Sequence, residues 1–202
     1  MARNKWDDHY ARRAKKEKWL ARSVYKLQEI DNKYKLIRTG DRILDLGCYP
    51  GSWAQYAIKK TGSRGEVVGI DLSEPTRISF PNFRFIRGDV LGLDLEGLAR
   101  DLETRDLVMS DLAPKTSGIK DADAGRSLAL AVRALDIGSA LLKEDGHFLC
   151  KILEGGDLAT FKSGVSNLFR RVKLFRPKAT RKRSREVYVI GMHFMKTEPK
   201  GG

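Results

Sequence analysis

The sequence predicts an α/β fold: seven strands in a mostly parallel sheet, helices on both faces, and a last strand that runs antiparallel. Three observations lead there. Short apolar runs alternate with longer helix-forming segments from residue 42 to residue 194. Each run is short and mainly apolar, as strands buried on both faces are. The last two runs are joined only by residues 176–185, too short a link for a helical crossover, so the final strand must reverse direction.

Taken in order, Trp19, Tyr25, Leu27, Ile30 and Tyr34 fall at mixed three- to six-residue intervals in a helix-forming composition. They predict an N-terminal helix that docks one face and ends before Thr39-Gly40. A strand over 42–46, a helix over 52–60 and strands over 66–70 and 83–86 follow. Residues 93–103 read as helix and 107–110 as strand, before a loop rich in Pro, Gly, Lys and Asp and a long helix over 124–142. Gly146 opens a strand to 152, residues 158–168 form a helix, and strands over 172–175 and 187–194 close the pattern.

With 202 residues, 41% of them hydrophobic, the chain suffices for one domain over 1–202, with residues 1–35 as a basic helical extension. No run approaches the roughly 18 apolar residues of a membrane-spanning helix, and the basic start lacks a following apolar segment of signal-peptide type. The expectation is a soluble, cytoplasmic monomer with no membrane partner. Cys48 and Cys150 have neither zinc-site spacing nor disulfide-scaffold density and read as reduced structural residues. His9, His147 and His193 are scattered, so no metal site is expected.

The net charge of +13 is unevenly placed. Residues 1–35 hold 11 Lys/Arg against 5 Asp/Glu, and residues 162–185 hold 10 Lys/Arg and no acid, whereas 36–161 hold 16 basic and 19 acidic groups. Basic flanks around an acidic middle suit a polyanion, because phosphates neutralised by Lys and Arg release counterions. Arg181-Lys182-Arg183-Ser184-Arg185 packs four cations into five positions against their mutual repulsion, which favours nucleic acid over a merely solvated face. An anionic membrane surface fits less well, since the run has no apolar partner face.

In open α/β sheets ligands bind beyond the carboxyl ends of the strands. The first strand delivers Asp45-Leu46-Gly47-Cys48-Tyr49-Pro50-Gly51-Ser52-Trp53 to that edge. Glycines there allow a sharp turn and close backbone approach, and the helix that follows presents free amides. The pattern is neither GxGxxG nor GxxxxGK[ST], so dinucleotide and Walker sites lack their signature. Asp71 ends the second strand, where a carboxylate can accept from both hydroxyls of a ribose, and Asp89 ends the third, within reach of an adenine amino group. Each acid alone reads as a cap or turn residue; glycines and acids at three successive strand ends read together as a nucleoside site. The segment resembles the nucleoside-binding motif of Rossmann-like methyltransferases that use S-adenosylmethionine. That resemblance implies adenosine across Gly51, Trp53, Asp71 and Asp89, with the methionine part over residues 47–51.

Ser110-Asp111-Leu112-Ala113-Pro114 ends the fourth strand, Cys150-Lys151-Ile152 ends the fifth, and Glu186 begins the antiparallel last strand, so all three point to one rim. A lysine inside an apolar strand is costly to bury unless paired, and a structural salt bridge to Asp111 or Glu186 would explain it. Beside a bound methyl donor, the same lysine could orient and deprotonate a weakly acidic hydroxyl. Lys26 is a candidate second cation.

Together Arg22-Ser23-Val24-Tyr25-Lys26-Leu27, the 45–53 segment, Ser110 to Pro114, Lys151 and Ser184-Arg185-Glu186-Val187-Tyr188 resemble the FtsJ/RrmJ family of RNA ribose 2′-O-methyltransferases, over most of the chain from Arg22. The resemblance implies a Rossmann-like class I methyltransferase fold and a uridine of large-subunit ribosomal RNA as substrate. It also implies Lys151 as proton acceptor, Asp111 positioning it and touching the cofactor, and Lys26 and Glu186 holding substrate and lysine. The sequence departs from the family at Cys48-Tyr49, where small residues are usual, and at Lys115, where Asn is usual. Two rivals remain: methylation of transfer RNA, another RNA or a different acceptor with the same cofactor, and a non-catalytic RNA-binding assembly factor.

Overall fold

A computed structural model describes residues 5–75, 77–115, 117–155 and 157–196. Seven strands form one sheet in the order β3-β2-β1-β4-β5-β7-β6. They are β1 (Arg42–Leu46), β2 (Glu66–Asp71), β3 (Phe83–Arg87), β4 (Arg105–Ser110), β5 (Leu142–Leu153), β6 (Phe169–Phe175) and β7 (Glu186–Phe194). β1 pairs in parallel with β2 and β4, β2 with β3, and β4 with β5, while β7 runs antiparallel to both β5 and β6. The chain reverses strand order between β1 and β4, which opens a crevice at their carboxyl ends.

Helices α3 (Ser52–Thr61), α4 (Leu95–Asp101), α5 (Lys120–Leu141) and α6 (Leu158–Ser166) cover the sheet together with α1 (Lys5–Lys16) and α2 (Val24–Tyr34). Strand side chains alternate between two cores. Leu44, Leu46, Val108, Cys150 and Ile152 pack with residues of α4, α5 and α6; Ile43, Leu107, Met109, Leu149 and Tyr188 pack with α2 and α3. This alternation sends every second residue near a strand's end toward α2, so Lys151, two positions after Leu149, leaves the strand on that face.

Several boundaries differ from the sequence reading. The basic start forms its own helix, and Trp19 lies between α1 and α2 rather than inside one helix. Lys18 adopts φ 60 just past α1, a left-handed turn that breaks the helical run. The helix expected over 93–103 is shortened to α4, because Asp94 caps its start, and a separate 3-10 turn at Val90–Gly92, capped by the Asp89 carboxylate, precedes it. α5 starts at Lys120 rather than near 124, where the Asp123 carboxylate accepts from the backbone amides of Ser117 and Gly118. His147 and His193, separate in sequence, meet edge to face with ring centroids 5.4 Å apart, at the end of β5 remote from the crevice.

Candidate active site

The crevice holds a cavity of about 350 Å³ whose lining includes Gly47, Tyr49, Asp71, Leu72, Asp89 and Asp111. Local chemistry sets its walls. Gly47 has φ 76, and a Cβ there would lie 2.7 Å from Leu112 Cδ2, so only glycine lets the β1 loop pass the β4 loop so closely. Asp71 braces the same loop: one oxygen accepts from the Tyr49 amide at 3.0 Å and the other from Ser73 at 2.9 Å. Asp89 accepts from the Leu91 amide at 3.1 Å. Each carboxylate oxygen has lone pairs beyond the bond it accepts, so both acids keep acceptor capacity toward the cavity.

The other two expected ligand residues, Gly51 and Trp53, stand at the start of α3. Gly51 and Trp53 are not among the residues lining this cavity. Gly51 has φ 109, a left-handed conformation that favours glycine at the start of α3, with Ile78 Cδ1 and Leu20 Cδ1 packed over it. Trp53 is buried, donates its indole N–H to the Ser23 carbonyl at 2.9 Å and lies against Tyr188 with ring centroids 5.9 Å apart. It ties α3 to α2 and β7, the elements that carry Lys26 and Glu186.

The four charged residues form two ion pairs joined through a tyrosine. Lys151 is 5% exposed and its Nζ lies 3.1 Å from Asp111 Oδ1, while also donating to the Asp111 backbone carbonyl. Lys26 Nζ lies 2.6 Å from Glu186 Oε2. Sequence offers Lys151 either acid as a partner; the structure pairs it with Asp111 and bonds Glu186 to Lys26. Tyr188 sits opposite Lys151 in the β5–β7 register and donates its hydroxyl to Asp111 Oδ1 at 2.7 Å, with Lys26 Nζ 6.0 Å from its ring centroid.

Electrostatics follow from this arrangement. Burial pushes the Asp111 pKa up, but the ammoniums of Lys151 and Lys26 and the hydrogen bonds from Tyr188 and Lys151 outweigh it, holding the carboxyl below its ordinary value. Burial, then the charges of Asp111 and Glu186, drives the Tyr188 phenol well above its ordinary range, so it remains a donor.

Sequence alone assigns no role to Tyr188 or Asp45, although both lie in its motifs. The signal for Tyr188 was a polar-tipped aromatic in an apolar strand two residues after Glu186. Asp45 is fully buried, and neither of its carboxylate oxygens has a hydrogen-bond partner. Burial, then the charges of Asp111 and Asp71, raises its pKa well above the ordinary value. An acid inside the short apolar run of β1 was its signal in sequence.

These features fit a nucleoside-bearing methyl donor: acidic acceptors at the ends of β2 and β3, a glycine-permitted close approach at β1, and an orphaned buried acid in β1 itself. A doubly wound sheet with this cavity at its switch point defines a Rossmann-like nucleoside-binding fold. The family model for FtsJ-like methyltransferase matches residues 19–194. A "Ribosomal RNA large subunit methyltransferase E" of Bdellovibrio bacteriovorus is 44% identical over 92% of this chain and 95% of its own. One of the same name from Desulfosudis oleivorans is 46% identical over 93% and 90%. Among solved structures, a protein of Plasmodium falciparum described as a ribosomal RNA methyltransferase has a TM-score of 0.77 at 28% identity, over 87% of this chain and 98% of that one. Fibrillarin of Aeropyrum pernix shares the fold at a TM-score of 0.56 and 16% identity, over 78% and 68%. The chain belongs to the FtsJ-like methyltransferase family and is an S-adenosylmethionine-dependent enzyme.

Proposed function

We propose that this protein methylates a ribose 2′-hydroxyl, that of a uridine in large-subunit ribosomal RNA. The observation that carries the reading is the pairing of Lys151 Nζ with Asp111, whose residue also lines the donor cavity. S-adenosylmethionine supplies, when bound, an electrophilic methyl on a sulfonium. The chain's own residues do the rest. Asp71 and Asp89 bind the nucleoside half, with Gly51 and Trp53 shaping the adjoining start of α3. Asp111 fixes the amine of Lys151 through its carboxylate and carbonyl, and Lys151 Nζ would accept the proton that the ribose 2′-hydroxyl gives up; the methyl would come from the donor's sulfonium, whose sulfur would keep the S–C bonding pair and leave as a neutral thioether. Glu186 holds Lys26 toward the acceptor.

Substrate choice is supported by the names of the relatives and by the basic flanks of the sequence. The working form we propose is a cytoplasmic monomer with one domain over 1–202 and a basic extension over 1–35. Among the described residues no helix is long and apolar enough to cross a membrane. The test is incubation with methyl-labelled donor and either large ribosomal subunits or transfer RNA, followed by mapping of alkali-resistant linkages. Label at a uridine ribose of the large subunit is expected. Label on a base, on protein or only on transfer RNA overturns the assignment.

A further inference from the structure

Two large apolar side chains, which a folded chain ordinarily hides, stand at the lip of the donor cavity. Tyr49 is 57% exposed, Leu72 is 63% exposed, and both line the cavity. Neither belongs to the charged set of residues 26, 111, 151 and 186. The backbone around Tyr49 fixes where its ring emerges. Gly47 and Gly51 bracket it with φ of 76 and 109. The neighbouring Cys48 is buried against β2, so close that a Cβ on Gly69 would lie 2.8 Å from its Sγ. The Tyr49 amide is bonded to Asp71 Oδ2 at 3.0 Å.

An exposed aromatic ring in the wall of a nucleoside cavity offers a π-face on which a base can stack. Leu72, the residue after Asp71, adds apolar surface to the same cavity. The bond from the Tyr49 amide to Asp71, and the place of Leu72 and Asp89 in the same lining, put Tyr49 among the residues expected to hold the donor's nucleoside half.

We propose that Tyr49 is a donor-binding residue whose ring, with Leu72, covers the purine base of the methyl donor's nucleoside half. The assignment rests on the donor of the reaction proposed above and is independent of the acceptor. Calorimetric titration of S-adenosylhomocysteine into the full-length protein tests it, with Tyr49→Ala and Tyr49→Phe beside the parent and ribosomal RNA affinity measured in parallel without donor. Both variants retain the backbone amide that Asp71 accepts. Tyr49→Ala is expected to raise the Kd for S-adenosylhomocysteine roughly tenfold, the effect of removing one base-stacking ring. Tyr49→Phe is expected to stay within about twofold of the parent, since the stacking face survives. RNA affinity should not move. An unchanged Kd in Tyr49→Ala, an equal loss in both variants, or a loss confined to RNA binding overturns the proposal. Should methyl groups appear on a base rather than a ribose, the acceptor reading falls while the calorimetric result still decides the role of Tyr49.

Discussion

Replacing Lys151 with methionine deletes an ammonium but keeps an unbranched stem of similar length, so the change isolates charge from packing. The parent side chains are 5% exposed at Lys151 and 18% at Asp111, leaving little solvent to replace the lost partner. Removing one member of a buried pair costs about 3–5 kcal/mol. Lys26 and Tyr188 remain near Asp111, which places the expected loss at the lower end, about 3 kcal/mol at pH 7. In the parent, the folded pKa of Asp111 lies below its ordinary value, the lysines outweighing burial. Its contribution is therefore present above the unfolded pKa of about 3.9 and is lost as pH falls through the folded value. In the variant, burial acts on Asp111 with Lys151 gone, so its carboxyl protonates more readily and the charged form carries the penalty. The stability gap between parent and variant should consequently be widest near neutrality and shrink toward acid. Urea unfolding followed by circular dichroism at several pH values between 4 and 7 measures it. A gap under about 1 kcal/mol that does not change with pH would refute the coupling of these two groups.

The catalytic role is read from a companion substitution: Lys151→Ala should lower the methyl-transfer rate by about 10²–10⁴ while S-adenosylhomocysteine still binds, and a near-normal rate would remove Lys151 as proton acceptor. Gly47→Ala places a methyl 2.7 Å from Leu112 Cδ2 at a left-handed backbone position. It should cost about 1–3 kcal/mol and weaken donor binding, both visible in thermal melts with and without S-adenosylhomocysteine. Asp31 is buried and accepts from the Ile37 amide at 2.9 Å and the Tyr56 hydroxyl at 2.8 Å. Asp31→Ala leaves both donors without that acceptor and should cost about 2–4 kcal/mol in urea unfolding; a loss below about 1 kcal/mol would contradict it. RNA affinity should fall steeply with salt, and Arg183→Ala, at an exposed position of the basic loop, should reduce the slope of log K against log salt by about one. An identical slope would take Arg183 out of the phosphate contacts.

Local pattern carried much of this protein. Short apolar runs separated by helix-forming segments determined the α/β class, and the brief 176–185 link determined that β7 reverses, because both are consequences of chain length and periodicity. The family resemblance singled out Lys26, Asp111, Lys151 and Glu186 in sequence. What no periodicity contains is which of them touch. Lys26 meets Glu186 across 160 residues, and Tyr188 reaches Asp111 across 77, because sheet order and β5–β7 register bring those strand ends together. The same limit hid from sequence that Tyr49, Leu72 and Lys115 line the cavity. Residue type and spacing state what a side chain can do. Only the packing of distant segments decides which neighbour it does it with, since that choice depends on long-range contacts whose energies a local window does not hold.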